Sequence, residues 1–128
     1  MMRDGRDAAI VALGHSVAAA QDAAQRLEEH GISAAVLNAR FAKPVDGRWL
    51  AELARRCRAL VVVEEHAAHG GFADAVLASL AAQRISVPVK AVGVPDEIVE
   101  HGSQEEWRAA IGLDAEGIEK AVRELLGR

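Results

Sequence analysis

The chain has 128 residues, 51% hydrophobic but only 3% aromatic, with a formal net charge of -4. That length suits one domain with one aliphatic, alanine-rich core. There is no basic block to grip a nucleic-acid backbone, and no apolar run approaches the ~20 residues of a bilayer span. Neither nucleic acid nor membrane is therefore an expected partner.

The opening "MMRDGRD" (1–7) is charged and lacks the apolar stretch of a secretory signal. "AAIVAL" (8–13) is a continuous apolar run, as are "ISAAVL" (32–37) and "ALVVV" (59–63). Runs of this kind suit strands buried on both faces, as in a parallel sheet. Between the first two lies "SVAAAQDAAQRLEEHG", which places Ala20, Ala23, Ala24 and Leu27 on one helical stripe. Ser16 is expected to cap its start, and Gly31 to end it in a left-handed conformation. "DGRWLAELARRC" predicts a second helix, with Asp46 as N-cap and Val45 and Leu50 as a hydrophobic staple. The single cysteine, Cys57, follows it. One cysteine excludes an internal disulfide and suits a reducing, cytoplasmic setting, so Cys57 reads as a small buried hydrophobe. "GGFADAVLASLAAQR" predicts a third helix with Phe72, Val76 and Leu80 on its inner face, before a fourth strand run, "VPVKAVGV" (87–94). Helical patterns return in "SQEEWRAAIG", with Ser103 and Glu106 as a capping box, and in "DAEGIEKAVRELL". There Ile118, Val122 and Leu125 predict a docked last helix.

Alternation of strand and helix predicts an open α/β sheet, mostly parallel, with helices on both faces. Ligands of such sheets sit beyond the carboxyl ends of the strands, where strand order reverses. The loops expected there are "GHS" (14–16), "NARFAKP" (38–44), "EEHAAHGG" (64–71) and "GVPDEIVEHG" (93–102). Glu64, Glu65, His66 and His69 have the residue types of a metal or proton-relay site, but "EEHxxH" is not the spacing of a helical zinc site. A surface or interface loop is the expectation. Gly70 and Gly71 could present amides to an anion, or simply make a tight turn. There is no nucleophile elbow, phosphate loop or dinucleotide fingerprint. His30 and His101 read as solvated. In "NARFAKPVD", Pro44 and Asp46 are punctuation before a helix, which leaves Arg40 and Phe41 unexplained. An arginine beside an aromatic at a strand end is a typical interface anchor.

Five segments in order carry a resemblance. "NARFAKPVD", "AIVALGHSV", "LVVVEEHAAHGGFADAVL", "VGVPDEIVEHGSQEE" and "GLDAEGI" are similar to the C-terminal, transketolase-type domain of the 1-deoxy-D-xylulose-5-phosphate synthase family. The likeness spans essentially the whole chain, 1–128, as one domain. Ala73 stands where a glycine usually follows "GGF". "VEEH" with "GG" also resembles transketolases, and the beta subunits of 2-oxoacid dehydrogenases match more weakly.

The resemblance implies a three-layer α/β/α sandwich whose mixed sheet of five strands begins with an antiparallel edge strand. Only four strand runs are visible here, so that strand is expected to be missing or shortened, as in a fragment or a separately encoded piece. It also implies a parent enzyme that condenses pyruvate with glyceraldehyde 3-phosphate on thiamine diphosphate and magnesium, and a homodimer. The cofactor would be held by other domains through a "GDG" motif absent from this chain. No catalytic, cofactor-binding or metal residue is then expected here. Arg40, Phe41, Lys43, Glu64, Glu65, His66, Gly70 and Gly71 would form a face organising the dimer or abutting the catalytic domains. A free-standing small-molecule or regulatory module, using the crevice between "GHS" and "EEHAAHGG", is the other reading.

Overall fold

In the computed structural model, residues 3–12, 16–38, 47–67, 72–94 and 115–128 are described. The apolar runs become strands β1 (Ala8–Ala12), β2 (Ala34–Asn38), β3 (Leu60–Ala67) and β4 (Val89–Val94). The helical patterns become α1 (Ser16–Glu29), α2 (Gly47–Arg56), α3 (Phe72–Ala82) and α4 (Ala115–Leu126). The strands form one sheet in the order β2-β1-β3-β4. Every pair in it is parallel, as the continuous apolar runs require.

Alternate strand residues feed two cores. Ala8, Ile10, Val36, Val61 and Val63 face α1 and α4, where Ala20, Ala23, Ala24, Leu27, Ile118 and Val122 are buried. Ala9, Val11, Ala35, Leu37, Leu60 and Val62 face α2 and α3, where Leu50, Leu53, Val76 and Leu80 are buried. This is the expected three-layer α/β/α sandwich. The last helix docks as its periodicity predicted, with Leu125 half-buried beside Ile118 and Val122. Cys57 is buried in the second core.

Three helices end in the same hydrogen-bonded turn. Gly31 and Gly127 are left-handed, with φ of 76° and 73°, and the next residue's N–H bonds back across the last turn (Ile32 to Leu27, Arg128 to Arg123). At the end of α3 this position falls to Arg84, at φ 58°. Ile85 N–H still donates to the Leu80 carbonyl at 2.9 Å.

The amino-terminal strap was not anticipated as a structural element. Arg3 forms an antiparallel bridge with Val36 on the outer edge of β2. Val36 N–H donates to the Arg3 carbonyl at 2.9 Å, and Arg3 N–H to the Val36 carbonyl at 3.3 Å. The antiparallel pairing implied by the resemblance is thus reduced, among the described residues, to one bridge. Gly5 lies so close to β2 that an added Cβ would sit 2.3 Å from the Ala34 carbonyl carbon. Asp7 Oδ2 accepts from Ser33 N–H at 2.7 Å, and its Oδ1 from Arg58 at 3.1 Å. Arg56 Nη2 lies 2.9 Å from Asp4 Oδ1, within ion-pair reach but not aligned as a hydrogen bond.

Two expectations change. Residues 64–67 are the end of β3 rather than loop, because the ladder continues past an irregularity from Val63↔Val92 to Ala67↔Val94. Ser16 is the first helical residue of α1, one position too late to be its cap, and its Oγ makes no hydrogen bond. The proposed cap and staple at Asp46 and Val45, and the helix and capping box around Ser103 and Glu106, lie outside the described residues.

Candidate functional site at the carboxyl ends of the strands

Parallel strands send all their carboxyl ends to one face. From β1 the chain crosses to β2 on one side, and from β2 it returns past β1 to β3 on the other. Strand order therefore reverses between β1 and β3, and the crevice of this fold opens there. It is bounded by the end of β1 at Ala12, the start of α1 at Ser16 and the end of β3 at Ala67. Of the loops expected at this point, 14–16 and 64–71, only Ser16 and the strand end 64–67 lie among the described residues.

Ser16, the first residue of α1, is 3% exposed and its hydroxyl has no hydrogen-bond partner. The first turn of α1 carries no acidic residue, so nothing on the helix offsets the positive end of its dipole. Among the described residues, no three histidine, cysteine or acidic groups are placed to share a metal ion. His30 is exposed at the end of α1, as a solvated histidine should be.

The backbones of Glu64, Glu65 and His66 are brought together along the last turn-free stretch of β3, while their side chains lie outside the described residues. Arg40, Phe41, Lys43, Gly70, Gly71, His69 and His101 also lie outside them. The elements that carry these segments are nonetheless placed: 39–46 leads into α2, and 68–71 into α3, on the same side of the sheet.

Sequence reasoning missed two features of the layers around this face. Arg26 Nε donates to Glu119 Oε1 at 3.1 Å, pinning α1 to α4. Glu119 is only 8% exposed, and the charge pattern of either helix alone gave no sign of this pairing. The second feature is the outer face of α3. The outward residues of α2 include Arg48, Glu52 and Arg55, and those of α4 Glu116, Lys120 and Glu124. On α3 they are Asp74, Leu77, Ala78, Ala81 and Ala82. Leu77 is 47% exposed, the one large hydrophobic so placed among the described residues. The signal was in the sequence: "FADAVLASLAA" has no polar face, and a helix apolar all round is normally covered on both sides.

The fold and its strand-end crevice define a class, the α/β/α domains that close the chains of transketolase-like proteins. Residues 1–118 match the model of the family "Transketolase, C-terminal domain", and the chain belongs to that family. It is 46% identical to the 1-deoxy-D-xylulose-5-phosphate synthase of Magnetococcus marinus over 98% of this chain and 21% of that protein. It is 45% identical to the synthase of Aquifex aeolicus, over 96% of this chain and 20% of that protein. The chain thus spans about a fifth of the length of these curated relatives. Among solved structures, a split-gene transketolase described as an inactive beta4 tetramer is 38% identical, with a TM-score of 0.88 over 98% of this chain and 40% of that one. A transketolase mutant from Pichia stipitis, at 21% identity and TM-score 0.67, shares the fold.

Proposed function

We propose that residues 1–128 form a single C-terminal domain of a 1-deoxy-D-xylulose-5-phosphate synthase. Its work is assembly: it supports the catalytic domains and the homodimer and performs no chemistry alone. The observation that carries this reading is the 46% identity to such a synthase across 98% of the chain. The parent activity would be the decarboxylating condensation of pyruvate with glyceraldehyde 3-phosphate, supplying isoprenoid, thiamine and pyridoxal synthesis in the cytoplasm. Among the described residues no helix is long and apolar enough to cross a membrane.

Thiamine diphosphate with magnesium would supply the carbanion chemistry in that parent enzyme. The described residues of this chain do not fit the group. The sequence has no "GDG" to hold a magnesium diphosphate, and among the described residues no three histidine, cysteine or acidic groups are placed to share a metal ion. On this reading the cofactor is held by other domains of the parent enzyme, and no catalytic step is assigned to this chain. Arg40, Phe41, Lys43, Glu64, Glu65, His66, Gly70 and Gly71 are proposed as the face that meets those domains or the second subunit. The described ends of β2 at Asn38 and β3 at Ala67, and the starts of α2 at Gly47 and α3 at Phe72, bracket these segments and support this.

The test is a reconstitution. The purified chain is assayed for synthase product with both substrates, cofactor and magnesium. It is then fused behind the amino-terminal four fifths of a related synthase from which the native C-terminal domain has been removed. Inactivity alone and recovery in the fusion are expected. A tight, magnesium-dependent affinity of the isolated chain for thiamine diphosphate would overturn the reading, as would a folded but inactive fusion.

A further inference from the structure

We infer that the start of α1 is a binding site for a small phosphate-bearing anion. This goes beyond the assembly reading and does not depend on it. Two independent observations carry it: an uncompensated helix end, and a buried hydroxyl at that end with no partner.

α1 runs for 14 residues from Ser16 to Glu29, and a helix of that length places about half a positive charge at its start. The N–H groups of Ser16, Val17 and Ala18 have no acceptor inside the helix, because the carbonyl four places back lies before it. Among the described residues no backbone carbonyl outside α1 accepts from them. α3 and α4 carry Asp74 and Glu116 in their first turns, whereas α1 has no acidic residue there. An anion would supply what this end lacks.

The second observation is Ser16 itself. It is 3% exposed, and its Oγ has no hydrogen-bond partner. Burying a hydroxyl unpaired is costly, and one that persists calls for a missing acceptor. The Cα–Cβ bond of a helical residue tilts towards the amino end, so this hydroxyl leans the way the free N–H groups point. Ser16 also precedes Ala20 by four residues on the buried stripe that continues through Ala23, Ala24 and Leu27. The hydroxyl therefore lies on the inner side of the helix start. A water there would pair with the hydroxyl but bring no charge to the dipole. A phosphate brings both, with up to two negative charges and several acceptor oxygens.

The position agrees. Three residues separate the end of β1 at Ala12 from Ser16, so the start of α1 lies within about 15 Å of that strand end. Strand order reverses beside β1, which is where sheets of this kind bind ligands.

The test titrates the full 128-residue chain with inorganic phosphate, glycerol 3-phosphate and acetate, each against sodium chloride of equal ionic strength. Amide NMR and melting temperature are the readouts. Phosphate should shift the Val17 and Ala18 amides saturably and raise the melting temperature by mass action. Ser16→Ala should weaken phosphate binding about tenfold or more, the scale of one hydrogen bond to a charged group. Without phosphate this variant should melt at or above the wild type, because an unpaired hydroxyl is gone; in saturating phosphate it should melt below. Ala18 is exposed, so Ala18→Glu should fold normally while its carboxylate takes the positive end and excludes the anion. Tighter binding of glycerol 3-phosphate than of inorganic phosphate would assign the site to an ester, and the reverse to the free ion; either result upholds it. Shifts that chloride reproduces would be charge screening and would overturn the site. So would Val17 and Ala18 amides unmoved by phosphate, or Ser16→Ala binding it as tightly as the wild type. Acetate binding as tightly as phosphate would overturn the phosphate assignment. The fusion experiment decides the assembly reading separately.

Discussion

Replacing Gly5 by alanine should destabilise the domain by about 2–4 kcal/mol. An alanine Cβ there would stand 2.3 Å from both the Ala34 carbonyl carbon and the Ala35 nitrogen, where carbon contacts normally settle at ~3.5 Å. The obstacle is backbone, not a flexible side chain. It belongs to β2, which is held in register to β1 from Ala34 to Asn38. The strand cannot retreat, so the strap must lift by about 1 Å. Lifting it breaks the paired bonds between Arg3 and Val36 and the 3.7 Å contact from Cys57 Sγ to the Gly5 carbonyl. Two backbone bonds at about 1 kcal/mol each, plus newly exposed apolar surface, give the lower end of the range. Urea unfolding followed by circular dichroism would measure it, as a fall of ~2 M in midpoint at a slope near 1–2 kcal/mol/M. Amide exchange at Val36 should quicken selectively, since its N–H is bonded to the strap. A loss under about 0.5 kcal/mol, within the range of neutral surface changes, would refute the view that the strap is a structural member.

Other outcomes follow from the same structure. Ile118→Ala should cost about 3 kcal/mol in chemical denaturation, because it empties a fully buried site between α4 and α1. Arg84→Gly should raise stability by about 0.5–1 kcal/mol, since it relieves a left-handed non-glycine residue; no gain would mean that the turn tolerates arginine without strain. Asp7 gains a hydrogen bond from the Ser33 backbone, and Arg58 adds to it, so its carboxyl is held below the usual carboxylate range despite partial burial. Its folded pKa is the lower one, so its contribution is complete above the unfolded value near ~4. It is lost as pH falls through the depressed folded value, and Asp7→Asn should flatten that acid limb in melts recorded across low pH. Burial pushes the Cys57 thiol up, so a thiol reagent at neutral pH should react slowly with the folded chain and promptly in denaturant.

Much of the fold was legible because its causes are local. Continuous apolar runs such as "ALVVV" suit strands covered on both faces, and the stripe from Ala20 to Leu27 suits one side of a helix. Gly31 announced its left-handed turn, since glycine alone takes that conformation without cost. The same turn at Arg84 was not announced, because there the tertiary packing overrides residue preference. Ser16 has the chemistry of a helix cap, but one residue of register makes it a buried hydroxyl instead. The extension of β3 through Glu64–Ala67 was hidden because polar residues at a strand end read as loop.

The candidate site divides in the same way. Motif order in the sequence pointed to the family, while Arg40, Phe41, Lys43, Gly70 and Gly71 remain proposals about an interface. By itself, the sequence determined the element types, the family and the two-sided burial of the sheet, since each depends on residues near in the chain or on their pattern. Only the tertiary structure decided the order β2-β1-β3-β4, and with it the crevice between β1 and β3. It also decided that Gly5 packs on β2, that Arg26 meets Glu119, and which side of an evenly apolar α3 faces outward. These join residues far apart in sequence or choose between equal faces, and such choices are made by packing the whole core at once.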